Sequence, residues 1–89
     1  MLKPDYTKQF EKDLKRAEKI RKDIIKLKVL IRMLINQERI PQRHNDHKLL
    51  GGFQNRRECH IEPDWLVVYK IKEEKIIFER TGSHSDLFG

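Results

Sequence analysis

Cysteine is nearly absent from this chain: of 89 residues, only Cys59 carries a thiol. A single thiol excludes an internal disulfide, and with it the small secreted scaffolds that depend on such staples. No apolar run approaches the ~20 residues of a membrane-spanning helix, and the N-terminus shows no apolar signal segment. Neither an internal repeat nor a low-complexity tract is present. The C-x2-C and H-x3-H spacings of common zinc frameworks are missing too. A soluble, cytoplasmic chain is the expectation, with no membrane association, no cofactor and no bound metal.

Charge, by contrast, is plentiful and uneven. Lys and Arg total 20 against 14 Asp and Glu, a net of +6. Residues 1–50 hold a net of +7 and residues 51–89 a net of −1. A basic first half suits a polyanion such as nucleic acid, or an acidic protein. A solvated helix surface explains the charge equally well.

Apolar side chains recur at helical spacing across residues 7–37. Tyr6, Phe10, Leu14 and Ala17 begin a stripe that Ile20, Ile24, Leu27, Ile31 and Leu34 continue. Thr7 is placed to cap the helix, with Pro4 outside it. One unbroken helix would run about 46 Å, long for a domain whose radius of gyration should be about 13 Å. A break is therefore expected around Glu18–Lys22, although no Gly or Pro marks it. Residues 38–55 are irregular, punctuated by Pro41, Asn45, Gly51, Gly52 and Asn55.

From Arg56 the period becomes that of strands. "RRECHI" reads as one strand and "EPDW" as a tight turn set by Pro63. "WLVVYKIK" follows, with Trp65, Val67, Tyr69 and Ile71 on one face and Leu66 and Val68 on the other, as in a strand covered on both sides. "KEEK" turns the chain into "KIIFERTG". Ser83 and Asp86 then form a weak capping box for one helical turn. The expected architecture is one α+β domain over residues 1–89. Its order is β-α-α-β-β-β, with a helical hairpin on one face of an antiparallel sheet and the other face free for a site.

Four groups capable of proton or phosphate chemistry fall near the strand ends. The Pro63 turn brings His60 and Asp64 to one hairpin tip, where a purely structural role is the simpler account. His84 sits inside a predicted helix N-terminus, four residues after Arg80. The start of "WLVVYK" should lie beside the end of "IIFERTG", so Asp64 converges with Arg80 and His84. Two imidazoles, a carboxylate and a guanidinium suit metal-free phosphodiester cleavage. Cys59 and His60 are adjacent on a strand and point to opposite faces, so a shared metal is disfavoured. Phe88 suits base stacking and docking of the C-terminus equally.

These stretches resemble the YafQ-type toxins of the RelE superfamily, over essentially the whole chain. The signals are Asp46-His47-x-Leu49, Arg57-x-x-His60-x-x-Pro63-Asp64-Trp65, Arg80-x-Gly82-x-His84 and the terminal Leu87-Phe88. One departure is Asn55, where relatives often have Gly. The resemblance implies the toxin of a type II toxin–antitoxin pair, an mRNA interferase cutting the codon in the ribosomal A site. It implies adenine-rich codons and a RelE-like fold. By the same resemblance His47, His60, Asp64 and His84 are catalytic, Arg80 binds phosphate and Phe88 contacts the substrate. The expected assignment makes His84 the general acid and puts Asp64 with His60 on the base side, with acid and base open to exchange. His47 would orient the phosphate or share proton transfer. The expected partners are a cognate antitoxin protein, the ribosome and mRNA, with the toxin monomeric when free and in a higher-order complex with its antitoxin. Lys15, Arg16, Lys19 and Lys22 are expected to grip ribosomal RNA. The competing readings are a related toxin acting on a protein such as a topoisomerase, and a plain RNA- or ribosome-binding module.

Overall fold

The structure is a computed structural model that describes residues 1–49 and 55–89; Gly51 and Gly52 of the irregular segment lie outside the described residues. Strand β1 (Lys3–Tyr6) leads into helices α1 (Lys8–Lys19) and α2 (Ile24–Ile35). A 3-10 turn (Gln42–His44) and strands β2 (His47–Lys48), β3 (Arg56–Glu62), β4 (Trp65–Lys72) and β5 (Lys75–Gly82) follow, then helix α3 (His84–Phe88). The sheet order is β1-β5-β4-β3-β2. The expected α+β architecture holds, with two refinements. β1 pairs in parallel with β5, Lys3 opposite Lys75 through Tyr6 opposite Phe78. The two-residue β2 adds a fifth strand beside β3, His47 opposite Glu58.

The helix break falls where the chain's dimensions require it, and the radius of gyration is 12.1 Å. It needs no glycine because Arg21 itself adopts a left-handed backbone, φ 60°. The Lys22 N–H then reaches the Ala17 carbonyl at 3.0 Å and closes the last turn of α1. Gln37, φ 55°, ends α2 in the same way, with the Glu38 N–H on the Met33 carbonyl at 2.9 Å. A left-handed residue with a Cβ costs roughly 1–2 kcal/mol; two such helix ends explain how a glycine-poor chain still turns sharply.

Phe10 and Ala17 of α1 and Leu27, Leu30 and Leu34 of α2 pack on Cys59, Ile61, Trp65, Val67, Tyr69, Ile76 and Phe78. Three members of the apolar patterns lie outside this core. Tyr6 is exposed at the end of β1, Ile20 at the helix junction and Ile71 at the far end of β4. Leu66 and Val68 point to the other sheet face and are also buried, as a central strand requires. A buried bridge fastens β4 to β5: Trp65 Nε1–H donates to Thr81 Oγ1 at 3.1 Å, and that hydroxyl donates to the Leu66 carbonyl at 2.7 Å.

Two β-bulges shape the open face. On β5, Val68 pairs with Arg80 and Tyr69 with Phe78, leaving Glu79 as the extra residue. On β3, His60 pairs with Leu66 and Glu62 with Trp65, leaving Ile61 as the extra residue. Among the described residues, no helix is long and apolar enough to cross a membrane.

Candidate active site

Strand alternation places Arg56, Glu58 and His60 of β3 on the face opposite the helices, because their neighbour Cys59 is in the helix-side core. β2 lies alongside and aligns His47 with Glu58. The Ser83–Asp86 capping box is present, Ser83 Oγ accepting from the Asp86 N–H and Asp86 Oδ2 from the Ser83 N–H, and it fixes α3 at the end of β5. The result is a row of rings. The His47 and His60 centroids are 6.3 Å apart, His60 and His84 5.7 Å, and His84 and Phe88 6.3 Å.

Glu58 sits beneath this row, with only 7% of its side chain exposed. Its Oε1 lies 3.2 Å from His47 Nε2 and 3.4 Å from His60 Nε2. Both are ion-pair approaches, and the buried His60 Nε2 is without a hydrogen-bond partner among the described residues. His60 Nδ1 faces the Pro63 carbonyl at 3.3 Å. Asp64 meets His84, the convergence expected from the strand order, and not His60. Asp64 Oδ1 accepts from the His84 backbone N–H at 3.1 Å and lies 3.1 Å from His84 Nδ1. These contacts, the backbone one first, hold the Asp64 carboxyl below the usual carboxylate range.

Arg80 reaches the open face beside Val68 but is engaged by α1: its Nε donates to Asp13 Oδ2 at 2.8 Å. The same oxygen accepts the Thr81 N–H at 3.2 Å. β5 has lost its β1 neighbour after Phe78, and Asp13 fills the vacant edge. Arg80, Phe88, Leu87, Val68, Arg56, Glu79 and Gln9 line a depression of about 430 Å³ next to the histidine row. Arg56 forms an ion pair with Glu79 across its floor.

The four cations expected to grip RNA divide into two pairs. Lys15 and Lys19 are exposed on α1. Arg16 pairs with Asp86 of α3 at 3.1 Å. Lys22 lies 3.8 Å from Glu62 and 5.7 Å from the Trp65 ring centroid, bound to the sheet rather than extended from it.

Glu58 and Asp13 were not among the residues singled out from the sequence. A signal for Glu58 existed, since stepping by two from His60 along β3 leads to it. Nothing local marks Asp13. Glu58, His60 and His84 each offer a donor atom within 4.8 Å of the others, a cluster that could hold a metal ion. His84 lies far from the other two in the chain, so no sequence spacing records it. Burial pushes the Cys59 thiol up to about 12, which leaves it protonated and out of this chemistry.

A small α+β domain with imidazoles and carboxylates arrayed on an open sheet face has the groups that acid–base cleavage of a phosphodiester needs. Residues 2–89 match the family model described as the bacterial toxin of type II toxin–antitoxin systems, YafQ, and the chain belongs to that family. It is 44% identical over 86 residues to the mRNA interferase toxin YafQ of Escherichia coli K12, covering 96% of this chain and 94% of that one. The E. coli DinJ–YafQ complex superposes with a TM-score of 0.93 at 42% identity over 100% of both chains. A metal-bound toxin from Helicobacter pylori gives 0.93 at 40% identity, over 99% of this chain and 100% of that one.

Proposed function

We propose that this toxin is an mRNA interferase, a ribosome-dependent endoribonuclease that cuts the A-site codon, at adenine-rich codons, and so inhibits translation. The observation that carries the reading is the buried, unbonded His60 Nε2 above Glu58, in a row of three imidazoles that ends at an aromatic ring. A buried imidazole nitrogen that makes no hydrogen bond, close to a carboxylate, suits a proton arriving from substrate.

His60, supported by Glu58, takes the proton from the 2′-hydroxyl on the base side of the reaction. The 2′-oxygen attacks the adjacent phosphorus and the bond to the 5′-oxygen breaks. His84 gives its proton to that leaving oxygen, so the products are a 2′,3′-cyclic phosphate and a 5′-hydroxyl. RNA supplies the nucleophile, so the step asks for no metal-bound water. Asp64 holds the His84 ring by Nδ1 and leaves Nε2 for the transfer. His47, on the other side of Glu58, orients the phosphate. Arg80, steadied by Asp13, offsets charge on the phosphorane-like transition state. Phe88 stacks on a base of the codon.

Lys15 and Lys19 approach ribosomal RNA phosphates. The protein acts in the cytoplasm, and a cognate antitoxin holds it in check, as DinJ accompanies YafQ in the related complex.

The test is to incubate translating ribosomes with the protein and map new 5′ ends on the message. His84→Ala should lower the cleavage rate by ~10²–10⁴-fold, the usual contribution of a positioned acid or base. The fold should survive, because the His84 N–H and the Ser83–Asp86 box remain. Cleavage at the wild-type rate would remove His84 from the mechanism. Absence of any cut by the wild-type protein would remove the interferase reading.

A further inference from the structure

The bulge in β3 interrupts regular pairing beside His60, and such breaks leave backbone groups in need of other partners. Here the partner is a side chain from another segment: His44 Nδ1 lies 2.6 Å from the His60 carbonyl. A carbonyl only accepts, so Nδ1 carries the proton and donates. His44 ends the 3-10 turn, and Asn45 follows in a left-handed backbone, φ 44° and ψ 50°. Two residues later the chain reaches His47, whose Nδ1 donates to the Asn45 carbonyl at 2.6 Å. On the far side of Asn45, Asp46 Oδ1 accepts from the Tyr69 hydroxyl at 2.6 Å and from Arg57 Nε at 3.2 Å. The segment carrying His47 thus has two anchors. Asp46 ties it to the middle of β3 and β4. Through His44 it is tied to the backbone of His60 itself.

We propose that His44 is a positioning residue for cleavage. It clamps the turn to the bulge and so fixes the separation of His47 and His60 across Glu58. The inference rests on the reading that these two imidazoles serve RNA cleavage. His44 touches neither substrate nor the reacting atoms. Its effect passes through His47, whose ring orientation depends on the Asn45 carbonyl and therefore on the turn that His44 holds. A displacement of about 1 Å at a reacting group can cost ~10²-fold in rate.

The experiment compares His44→Phe, which keeps a ring without the donor, with His44→Asn, whose amide nitrogen can replace Nδ1. Single-turnover cleavage on message-bound ribosomes gives kcat and KM separately. We expect His44→Phe to lower kcat by ~10-fold or more with KM unchanged, and His44→Asn to restore it to within about three-fold. In a His47→Ala background, His44→Phe should cause no further loss. Equal loss in both backgrounds would overturn the proposal, as would a wild-type kcat for His44→Phe. Imidazole NMR signals supply a second readout, independent of cleavage. His44→Phe should shift the His47 ring resonances while leaving those of His84 in place. Unmoved His47 resonances would overturn the clamp even if the wild-type protein proved inactive on RNA.

Discussion

Replacing Thr81 by Val should cost about 2–4 kcal/mol of folding stability. The side chains are nearly the same shape, so the change removes one oxygen and little volume. That oxygen accepts from Trp65 Nε1 and donates to the Leu66 carbonyl, and all three residues are buried. Its loss leaves the indole N–H without its acceptor and the carbonyl short of one donor. An unsatisfied buried group costs ~1–3 kcal/mol, and the carbonyl loses less because it has a second lone pair. A domain of this length has a total of roughly 4–13 kcal/mol, so the loss is a large share. The melting temperature should fall by roughly 8–32 °C, at ~4–8 °C per kcal/mol for domains of this size. Thr81→Ser is the control: it keeps the hydroxyl and loses a methyl, at about 1 kcal/mol. Urea denaturation of the three proteins ranks them. If Thr81→Val proved as stable as Thr81→Ser, the bridge would not be what joins β4 to β5, and the reasoning would fail.

The division among the helix cations predicts that Lys15→Gln with Lys19→Gln lowers ribosome affinity and flattens its salt dependence, since each lost phosphate contact reduces the slope. Codon preference, mapped from cut sites, should not change; unaltered affinity across the salt series would make these lysines a solvated face. Cys59, buried with its thiol pushed up to about 12, should resist alkylation at pH 8 in the native state and react on unfolding in urea. Rapid native labelling would contradict its burial. The Asp64 carboxyl is held below its usual range, so its contacts with His84 are intact above that range and lost as pH falls through the depressed value. The His84 amide NMR shift should titrate with a midpoint below the ~3.9 of a free Asp, and a midpoint above it would rule out the Asp64–His84 pairing.

Much of this molecule was legible because local chemistry and global dimensions agree. Thr7, Ser83 and the Pro63 turn declare themselves through capping and turn preferences. The helix break followed from the length of an unbroken helix rather than from any breaker residue. What was not legible depends on contacts far apart in the chain. The parallel pairing of β1 joins Lys3 to Lys75, and no local pattern records such a partner. β2 is two residues long, below any periodicity. Arg80 and His84 could be placed by strand antiparallelism, but Asp13 could not, because its partner lies across a sheet edge that exists only once β1 has stopped. Strand antiparallelism also brought Asp64 to His84, but it could not show that the His84 backbone N–H would be a donor to it. Ile71 follows the alternation of β4 faithfully yet is exposed, near the end of a strand whose burial falls away after Tyr69.

The bulges also set where the chain can change length. Side chains alternate with a period of two, so losing one residue from a regular strand reverses the facing of everything beyond it. On β5, Phe78 faces the core and Arg80 the open side with Glu79 between them; in an unbulged strand Arg80 would share the facing of Phe78. Deleting Glu79 would therefore bring Arg80 directly after Phe78 with its facing unchanged, at the cost of the Arg56 ion pair. Deleting Thr81 instead would turn Gly82 and its successors over. Ile61 is the equivalent spare residue on β3, though it belongs to the buried core. A one-residue deletion within this sheet can thus be absorbed at either position while the parity of the histidine face is kept, and shorter relatives should differ there or in the connections rather than elsewhere within β3 and β5.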